Sequence, residues 1–190
     1  MRYFVIDAFT DSVFKGNQAG VCLPEGSLDD ALMRNIAAEN NLAETSFVLP
    51  VNGGYELRWF TPEVEMDLCG HGTLASAWVI RHFVDPNADQ INFFTKSGLL
   101  SVTCIEPLYE MDFPSRPPKR IDTVPAFTDA IGCPVLEAYM SRDLLLLVEN
   151  EAALRTLTPD LDAMKQFDDG LRISPSLAPV KINNLIAANA

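Results

Sequence analysis

The pattern of apolar and polar positions divides the first part of the chain into short strands and helices. Residues 2–8 and 19–23 are β-prone and are predicted to form two strands around a glycine-containing turn at residues 15–20. Residues 28–40 are predicted to form a helix, with Ser27 as its N-cap. The side chains expected to face inward from this helix are Leu28, Leu32, Ile36 and Ala37.

A second group of elements follows. Residues 46–50 and 55–61 are predicted to form a hairpin around the Asn52-Gly53-Gly54 turn. Residues 70–83 are predicted to form a helix, and its stretch from Thr73 to Ile80 has no charge and is apolar nearly all round. Such a helix is buried on every side, so strands are expected to surround it. Further strands are predicted at residues 91–95, 99–105 and 108–113.

Prolines at positions 114, 117 and 118 interrupt any regular element and indicate a linker. We therefore predict an N-terminal lobe over residues 1–118 and a partial C-terminal lobe over residues 119–190. Within the second lobe, helices are predicted at residues 126–131, 151–157 and 161–167, and strands at residues 135–140 and 144–148.

Composition narrows the possible functions. The 190 residues carry a net charge of −12, which argues against binding nucleic acid without a cationic partner. No stretch is long and apolar enough to suggest a signal peptide or membrane span, so a cytoplasmic location is expected. The four cysteines are widely spaced, which fits neither a disulfide scaffold nor a CxxC metal site. No metal is expected.

Glu44 stands where the first predicted helix gives way to a strand. Such a junction often places a side chain at the mouth of a cleft, where a carboxylate can take a proton from carbon and return it elsewhere. The alternative is a solvated glutamate in a turn, the commoner situation for this residue type.

Gly70 and Gly72 flank His71 at the predicted start of the buried helix. Backbone N–H groups at a helix start have no partner within the helix, so those near residues 70–73 form a site suited to a carboxylate or an enolate-like intermediate. His71 could donate a hydrogen bond or relay a proton there. The alternative is a helix start whose glycines only allow close packing, with His71 bonded to a backbone group.

Cys69 competes with Glu44 as the base, because a thiol at a helix N-terminus is readily ionised; a small buried core residue is the alternative. His82 is interpreted as a partner of the helix C-terminus rather than a catalyst. Asn17 and Gln18 could face a ligand, although a turn that favours Asn and Gly explains them at least as well. The cysteines interpreted as core residues are Cys22, Cys104 and Cys133.

Four segments in order carry a family resemblance: FVIDAFTDSVFKGNQAGVCLP, MRNIAAENNLAETSFVLP, LRWFTPEVEMDLCGHGTLASAWVI and MDFPSRPP. Together they resemble the phenazine-biosynthesis-like (PhzF-like) isomerase family. The resemblance covers residues 1–118 well and residues 119–170 more loosely. Any one segment alone would be a weak signal, whereas four in order are specific.

The resemblance implies an α+β, diaminopimelate-epimerase-like fold. Each of two lobes wraps a mixed, mostly antiparallel sheet around a central helix, and the active site lies between the lobes. It also implies a coenzyme-free, metal-free isomerase that moves a proton on a small carboxylated metabolite. A homodimer is expected.

Site residues follow from the same resemblance. Glu44 corresponds to the catalytic glutamate of the family, and Gly70 and His71 correspond to its glycine–histidine pair. The Gly16–Asn17 turn corresponds to its GN turn. The groups expected to bind substrate are Asn17, Gly70, Gly72 and Thr73, with Glu44 and His71 as the catalytic pair and Cys69 as the alternative base.

The sequence departs from the family in its second lobe. Family members usually run longer, and their second lobe contains an E-D-P-x-T-G-S segment that does not occur after Gly170. Residues 171–190 do not resemble the family continuation, which indicates an incomplete second lobe. The alternative function is therefore a non-catalytic small-ligand-binding or interaction protein derived from this fold.

Overall fold

The computed structural model describes residues 1–12, 14–105, 107–141, 143–165 and 172–177. The chain divides into two compact units, Met1–Pro114 and Ser115–Ala190. The assignment of residues 1–118 and 119–190 to two lobes stays a prediction.

The first unit contains strands on both sides of a long helix. In chain order its elements are β1 (Arg2–Ala8), β2 (Asn17–Leu23), α1 (Asp30–Asn40), β3 (Glu44–Val51), β4 (Gly54–Phe60), β5 (Glu65–Met66), α2 (Gly70–Phe83), β6 (Gln90–Thr95), β7 (Gly98–Ile105) and β8 (Leu108–Asp112). The predicted strands, the hairpin at Asn52-Gly53-Gly54 and the bounds of α2 are confirmed.

These strands form one sheet in the order β1-β2-β3-β4-β6-β7-β8, with β5 paired to β4. The β2–β3 and β4–β6 pairs are parallel, and the other pairs of this sheet are antiparallel. The predicted α+β class, a mixed and mostly antiparallel sheet wrapped around a central helix, is confirmed.

Helix α2 lies at the centre because its own side chains are small or apolar nearly all round. Ala75, Ala77, Val79 and Ile80 join one core cluster with side chains from strands on several sides of the helix. Arg81 and His82 stand in the last turn of α2, where the helix dipole favours positive charge. The predicted burial of this helix is confirmed.

The predicted start of α1 is wrong. The N-cap is Asp29, whose carboxylate accepts a hydrogen bond from the Leu32 backbone N–H at 2.8 Å, and Ser27 lies outside the helix. Leu32 is 44% exposed, whereas Met33 and Ala37 are buried. Packing against a neighbouring cluster, and not side-chain hydrophobicity alone, selects the inward face. That cluster contains Cys22, Phe47 and Phe60.

The second unit has a smaller sheet with its own core. Its elements are β9 (Lys119–Ile121), α3 (Pro125–Ile131), β10 (Glu137–Met140), β11 (Asp143–Val148), α4 (Glu151–Arg155), α5 (Leu161–Lys165) and β12 (Arg172–Leu177). The strand order is β12-β11-β10-β9, and β12 is parallel to β11. The predicted helices and strands of this part are found, with ends that differ by up to two residues. The predicted extension of α5 to residue 167 lies outside the described residues.

The N-cap assignment can be tested with two alanine substitutions. Asp29→Ala is expected to lower the free energy of unfolding by about 1 kcal/mol, because a first-turn N–H loses its acceptor. Ser27→Ala, the matched control, is expected to change it by less than about 0.5 kcal/mol. Denaturant unfolding followed by tryptophan fluorescence measures both values, and equal losses would contradict the assignment.

Candidate active site

Glu44 owes its position to the way α1 ends. Asn41 adopts a left-handed conformation (φ 50°, ψ 37°), and its N–H donates to the Ala37 carbonyl, which stops the helix. Three residues later the chain enters β3 at Glu44, whose backbone pairs with Ala19 of β2. The Glu44 side chain is only 14% exposed, so this residue is not a solvated glutamate in a turn.

Strand β3 turns two polar side chains toward the start of α2. Successive side chains of a strand alternate between faces, so Glu44 and Ser46 share one face. The Ser46 hydroxyl is buried and donates to the Gly72 carbonyl at 3.3 Å. The sequence analysis did not single out Ser46, although the two-residue period from Glu44 would have indicated it.

The start of α2 is fixed by hydroxyl groups of the helix itself. Thr73 donates from its backbone N–H and from its hydroxyl to the Cys69 carbonyl, at 3.1 and 2.6 Å. The Ser76 hydroxyl donates to the Gly72 carbonyl at 2.7 Å. Cys69 is the N-cap residue, but its side chain makes no capping hydrogen bond. The first N–H groups of α2 are therefore not capped by this side chain, as an anion site requires.

The segment leading into α2 is held by an ion-pair network. The Arg58 guanidinium donates two hydrogen bonds to the Glu65 carboxylate, at 2.7 and 2.8 Å, and Lys96 binds the same group. Arg58, helped by Lys96, keeps the pKa of the Glu65 carboxyl below its usual value. The Ser97 hydroxyl donates to the Asp67 carbonyl at 2.7 Å. This network anchors β5 and the residues just before Cys69.

Glu44, His71 and Cys69 come together at this helix start. Glu44 Oε2 lies 3.1 Å from His71 Nε2, and Cys69 Sγ lies 3.5 Å from His71 Nδ1. The imidazole, 9% exposed, thus contacts both a carboxylate and a thiol. Glu44 Oε2 and His71 Nε2 lie within ion-pair distance, but they are not aligned for a hydrogen bond. Nε2 accordingly has no hydrogen-bond partner within the described residues.

This arrangement can hold and move protons. If the Cys69 thiol donates to Nδ1, the other ring nitrogen carries a hydrogen that faces Glu44. If Nδ1 carries the hydrogen, Nε2 presents a lone pair to the carboxyl group instead. Ligand atoms of the three side chains lie within 4.8 Å of one another, so the cluster also has the spacing of a metal site.

The two glycines of the helix start differ in their surroundings. A Cβ at Gly72 would lie 2.7 Å from Trp59 Cδ1 and 2.9 Å from Ser46 Oγ. A Cβ at Gly70 would meet only Phe113, at an ordinary 3.5 Å. Gly72 is therefore required by packing, as the alternative interpretation supposed, whereas no packing contact within the described residues requires Gly70.

Asn17, predicted to contact a substrate, lines a cavity of about 400 Å³ that lies next to Glu44 along the chain. Its lining residues are Asp7, Phe14, Gly16, Asn17, Gln18, Asn41, Leu42 and Ala43. The lining stops one residue before Glu44, so the cavity adjoins the cluster along the chain without including its acidic side chain. Contacts of Asn17, Gly70, Gly72 and Thr73 with a substrate stay predictions.

The other candidate groups have structural roles. Cys22 is fully buried, and burial raises the pKa of its thiol to about 12, as suits a core residue. Cys104 and Cys133 are half-buried and pack against the cores of the first and second units. His82 is exposed and stacks on Trp78 with ring centroids 4.0 Å apart, at the end of α2 where it was predicted.

The mixed sheet around a central helix, with a carboxylate and an imidazole at the helix start, is the arrangement that the family resemblance implied. The profile of the family described as "Phenazine biosynthesis-like protein" matches residues 6–189. The chain belongs to this family.

Curated relatives support the assignment. An "uncharacterized isomerase" of Pseudomonas aeruginosa is 44% identical over 165 residues, which are 87% of this chain and 64% of that protein. An "uncharacterized isomerase" of Halalkalibacterium halodurans is 43% identical over 168 residues, covering 87% and 63%. The chain thus spans less than two thirds of the length of these relatives.

Solved structures agree on the fold. A PhzF-family protein from Enterococcus faecalis superposes with a TM-score of 0.82 at 42% identity, over 94% of this chain and 69% of that one. A PhzC/PhzF protein from Clostridium difficile gives a TM-score of 0.81 at 45% identity with the same coverage.

Within the described residues, no helix has both the length and the apolar character needed to cross a membrane.

One expectation about the C-terminal part is wrong. Residues 171–190 were expected not to resemble the family continuation, yet the family match runs to residue 189. Residues 172–177 form β12, which adds to β11 in parallel register. The sequence analysis predicted no strand here, because Pro175 interrupts the β-prone pattern.

The different roles of the two glycines can be tested by alanine substitution. Gly72→Ala is expected to lower the free energy of unfolding by about 1–3 kcal/mol, because the added methyl group overlaps Trp59 and Ser46. Gly70→Ala is expected to change it by less than about 1 kcal/mol, toward higher stability. Tryptophan fluorescence suits this measurement, since Trp59 and Trp78 both lie in the first unit. A Gly72→Ala variant as stable as wild type would contradict the packing argument.

Proposed function

We propose that this chain is a coenzyme-free isomerase that moves a proton on a small carboxylated metabolite, with Glu44 as its general acid/base. The observation that carries the proposal is the 3.1 Å approach of Glu44 Oε2 to His71 Nε2, with both side chains largely buried. A carboxylate held in this way, beside a helix start whose N-cap side chain makes no capping hydrogen bond, suits proton abstraction next to a carboxyl or carbonyl group.

In the proposed step, the Glu44 carboxylate removes a proton from a carbon atom of the substrate. The substrate is proposed to carry a C=C double bond next to this carbon, so the electron pair of the broken C–H bond is delocalised over that double bond and the carbonyl or carboxyl group as a dienolate. The carboxyl group of Glu44 then returns the proton to a second carbon, and the double bond moves. The net reaction is an isomerisation that consumes no oxidant, metal or coenzyme.

The start of α2 supplies the matching electrostatic stabilisation. N–H groups of a helix start favour negative charge, and the N-cap side chain here does not occupy them. Gly70 leaves room above them, since a Cβ at that position would meet only Phe113. His71 is proposed to position Glu44 and to share its proton through Nε2.

Cys69 is the alternative base in this scheme. Its thiol faces Nδ1, whereas Glu44 faces Nε2, so the thiol is also placed to set the tautomer of His71. The names of the curated relatives support an isomerase in general terms. The substrate, the homodimer and the cytoplasmic location stay predictions.

The proposal predicts that substitution of Glu44 abolishes exchange of substrate protons with solvent. Glu44→Gln keeps the size of the side chain but removes its basicity, so deuterium incorporation from D₂O is expected to fall by about 10²- to 10⁴-fold. Candidate small carboxylated metabolites are incubated with each protein and followed by NMR or mass spectrometry. Glu39→Gln, on the exposed side of α1, is the matched control and is expected to retain wild-type exchange.

Two results would count against the proposal. Exchange by Glu44→Gln at the wild-type rate would remove Glu44 as the acid/base. A wild-type chain that binds these carboxylates without any exchange would favour the alternative, a ligand-binding protein without catalysis.

A further inference from the structure

We infer that Glu44, Cys69 and His71, referred to below as the three-residue cluster, form a binding site for a soft divalent cation of the Zn²⁺ type. The ion would occupy the groups proposed to move protons, so it would act as an inhibitor and not as a cofactor. The binding site rests on the side chains alone, and only the inhibitory effect rests on the isomerase proposal.

The donor atoms are those that Zn²⁺ prefers. Thiolate, imidazole and carboxylate are its common protein ligands, and three such ligands with a free fourth position are typical of an accessible zinc site. Here the ligand atoms all lie within 4.8 Å of one another. Among the described residues, no second group of three such side chains comes this close.

The positions of the ligands are set by rigid elements. Cys69 and His71 stand at the N-cap and first turn of α2, and Glu44 stands at the start of β3. All three side chains are largely buried. Little conformational freedom is therefore left to lose when an ion binds, which favours affinity.

One ion can take only one nitrogen of His71, and the geometry indicates which. Cys69 lies beside Nδ1, whereas Nε2 is buried without a hydrogen-bond partner in the described part of the chain. Nε2 is thus the nitrogen with an unused lone pair or hydrogen, on the Glu44 side. Tetrahedral bonds of 2.0–2.3 Å place ligand atoms about 3.3–3.8 Å apart, so a rotation of the Cys69 thiol toward Glu44 completes the set.

Charge also favours a doubly positive ion. A thiolate and a carboxylate together supply two negative charges, which balance Zn²⁺ in a buried environment where an unpaired charge is costly. The thiol must lose its proton to bind, so binding releases a proton and strengthens as pH rises.

The experiment titrates Co²⁺, a coloured substitute for Zn²⁺, into the full chain and records absorption spectra. We expect one Co²⁺ per chain, a sulfur-to-cobalt charge-transfer band and loss of that band when Zn²⁺ is added. Cys69→Ser is expected to lose the band and to weaken binding by about 100-fold or more, since disturbing outer-shell groups alone costs about 10- to 100-fold.

Matched variants make the result specific. Cys133→Ser, a half-buried cysteine of the second unit, is expected to keep the band and the affinity. Glu44→Gln is expected to keep the band but to weaken binding, because sulfur stays and a charged ligand is lost. Circular dichroism confirms that each variant is folded.

The wild-type spectrum alone can overturn the inference. Absence of a charge-transfer band at saturating Co²⁺ would do so, whether or not Cys69→Ser folds. Persistence of the band in folded Cys69→Ser, or its loss in Cys133→Ser, would assign the metal to another thiol. Because no substrate is used, failure here is distinguishable from failure of the isomerase proposal.

Discussion

The close approach of the first turn of α2 to strand β3 is the constraint on which the rest of the site depends. At Gly72 the two elements come so near that no side chain fits between the helix, Trp59 and Ser46. The Gly72 carbonyl accepts hydrogen bonds from Ser46 of the strand and from Ser76 of the helix. One residue before Gly72, this distance leaves His71 against Glu44.

The consequences extend from packing to chemistry. A larger separation between α2 and β3 would let water enter between the Glu44 carboxylate and the His71 imidazole. Their interaction would then be weaker, since charges interact more strongly where water is excluded. Cys69 contacts the other nitrogen of the same ring, so three groups able to exchange protons meet in one buried place. Convergence of such groups suits acid/base chemistry, and it also suits capture of a soft cation. The two properties have one structural origin.

Sequence patterns predicted much of this arrangement. The run from Thr73 to Ile80 without charge identified the central helix, and the junction after Asn41 pointed to Glu44. The start of α1 was missed because Ser27 and Asp29 are both good N-caps, and the choice between them depends on tertiary packing around Met33. Local sequence could not show the contact between Glu44 and His71 either, because it joins residues far apart in the chain. Without the family resemblance, a solvated Glu44 would have remained the better guess.

The central claim is that Glu44 and His71 interact directly, and a double-mutant cycle tests it. Glu44→Ala, His71→Ala and the double variant are unfolded by denaturant, with the fluorescence of Trp59 and Trp78 as the readout for the first unit. The account predicts a favourable coupling free energy of about 0.5–3 kcal/mol between the two side chains. Additive effects, with a coupling below about 0.3 kcal/mol, would contradict it.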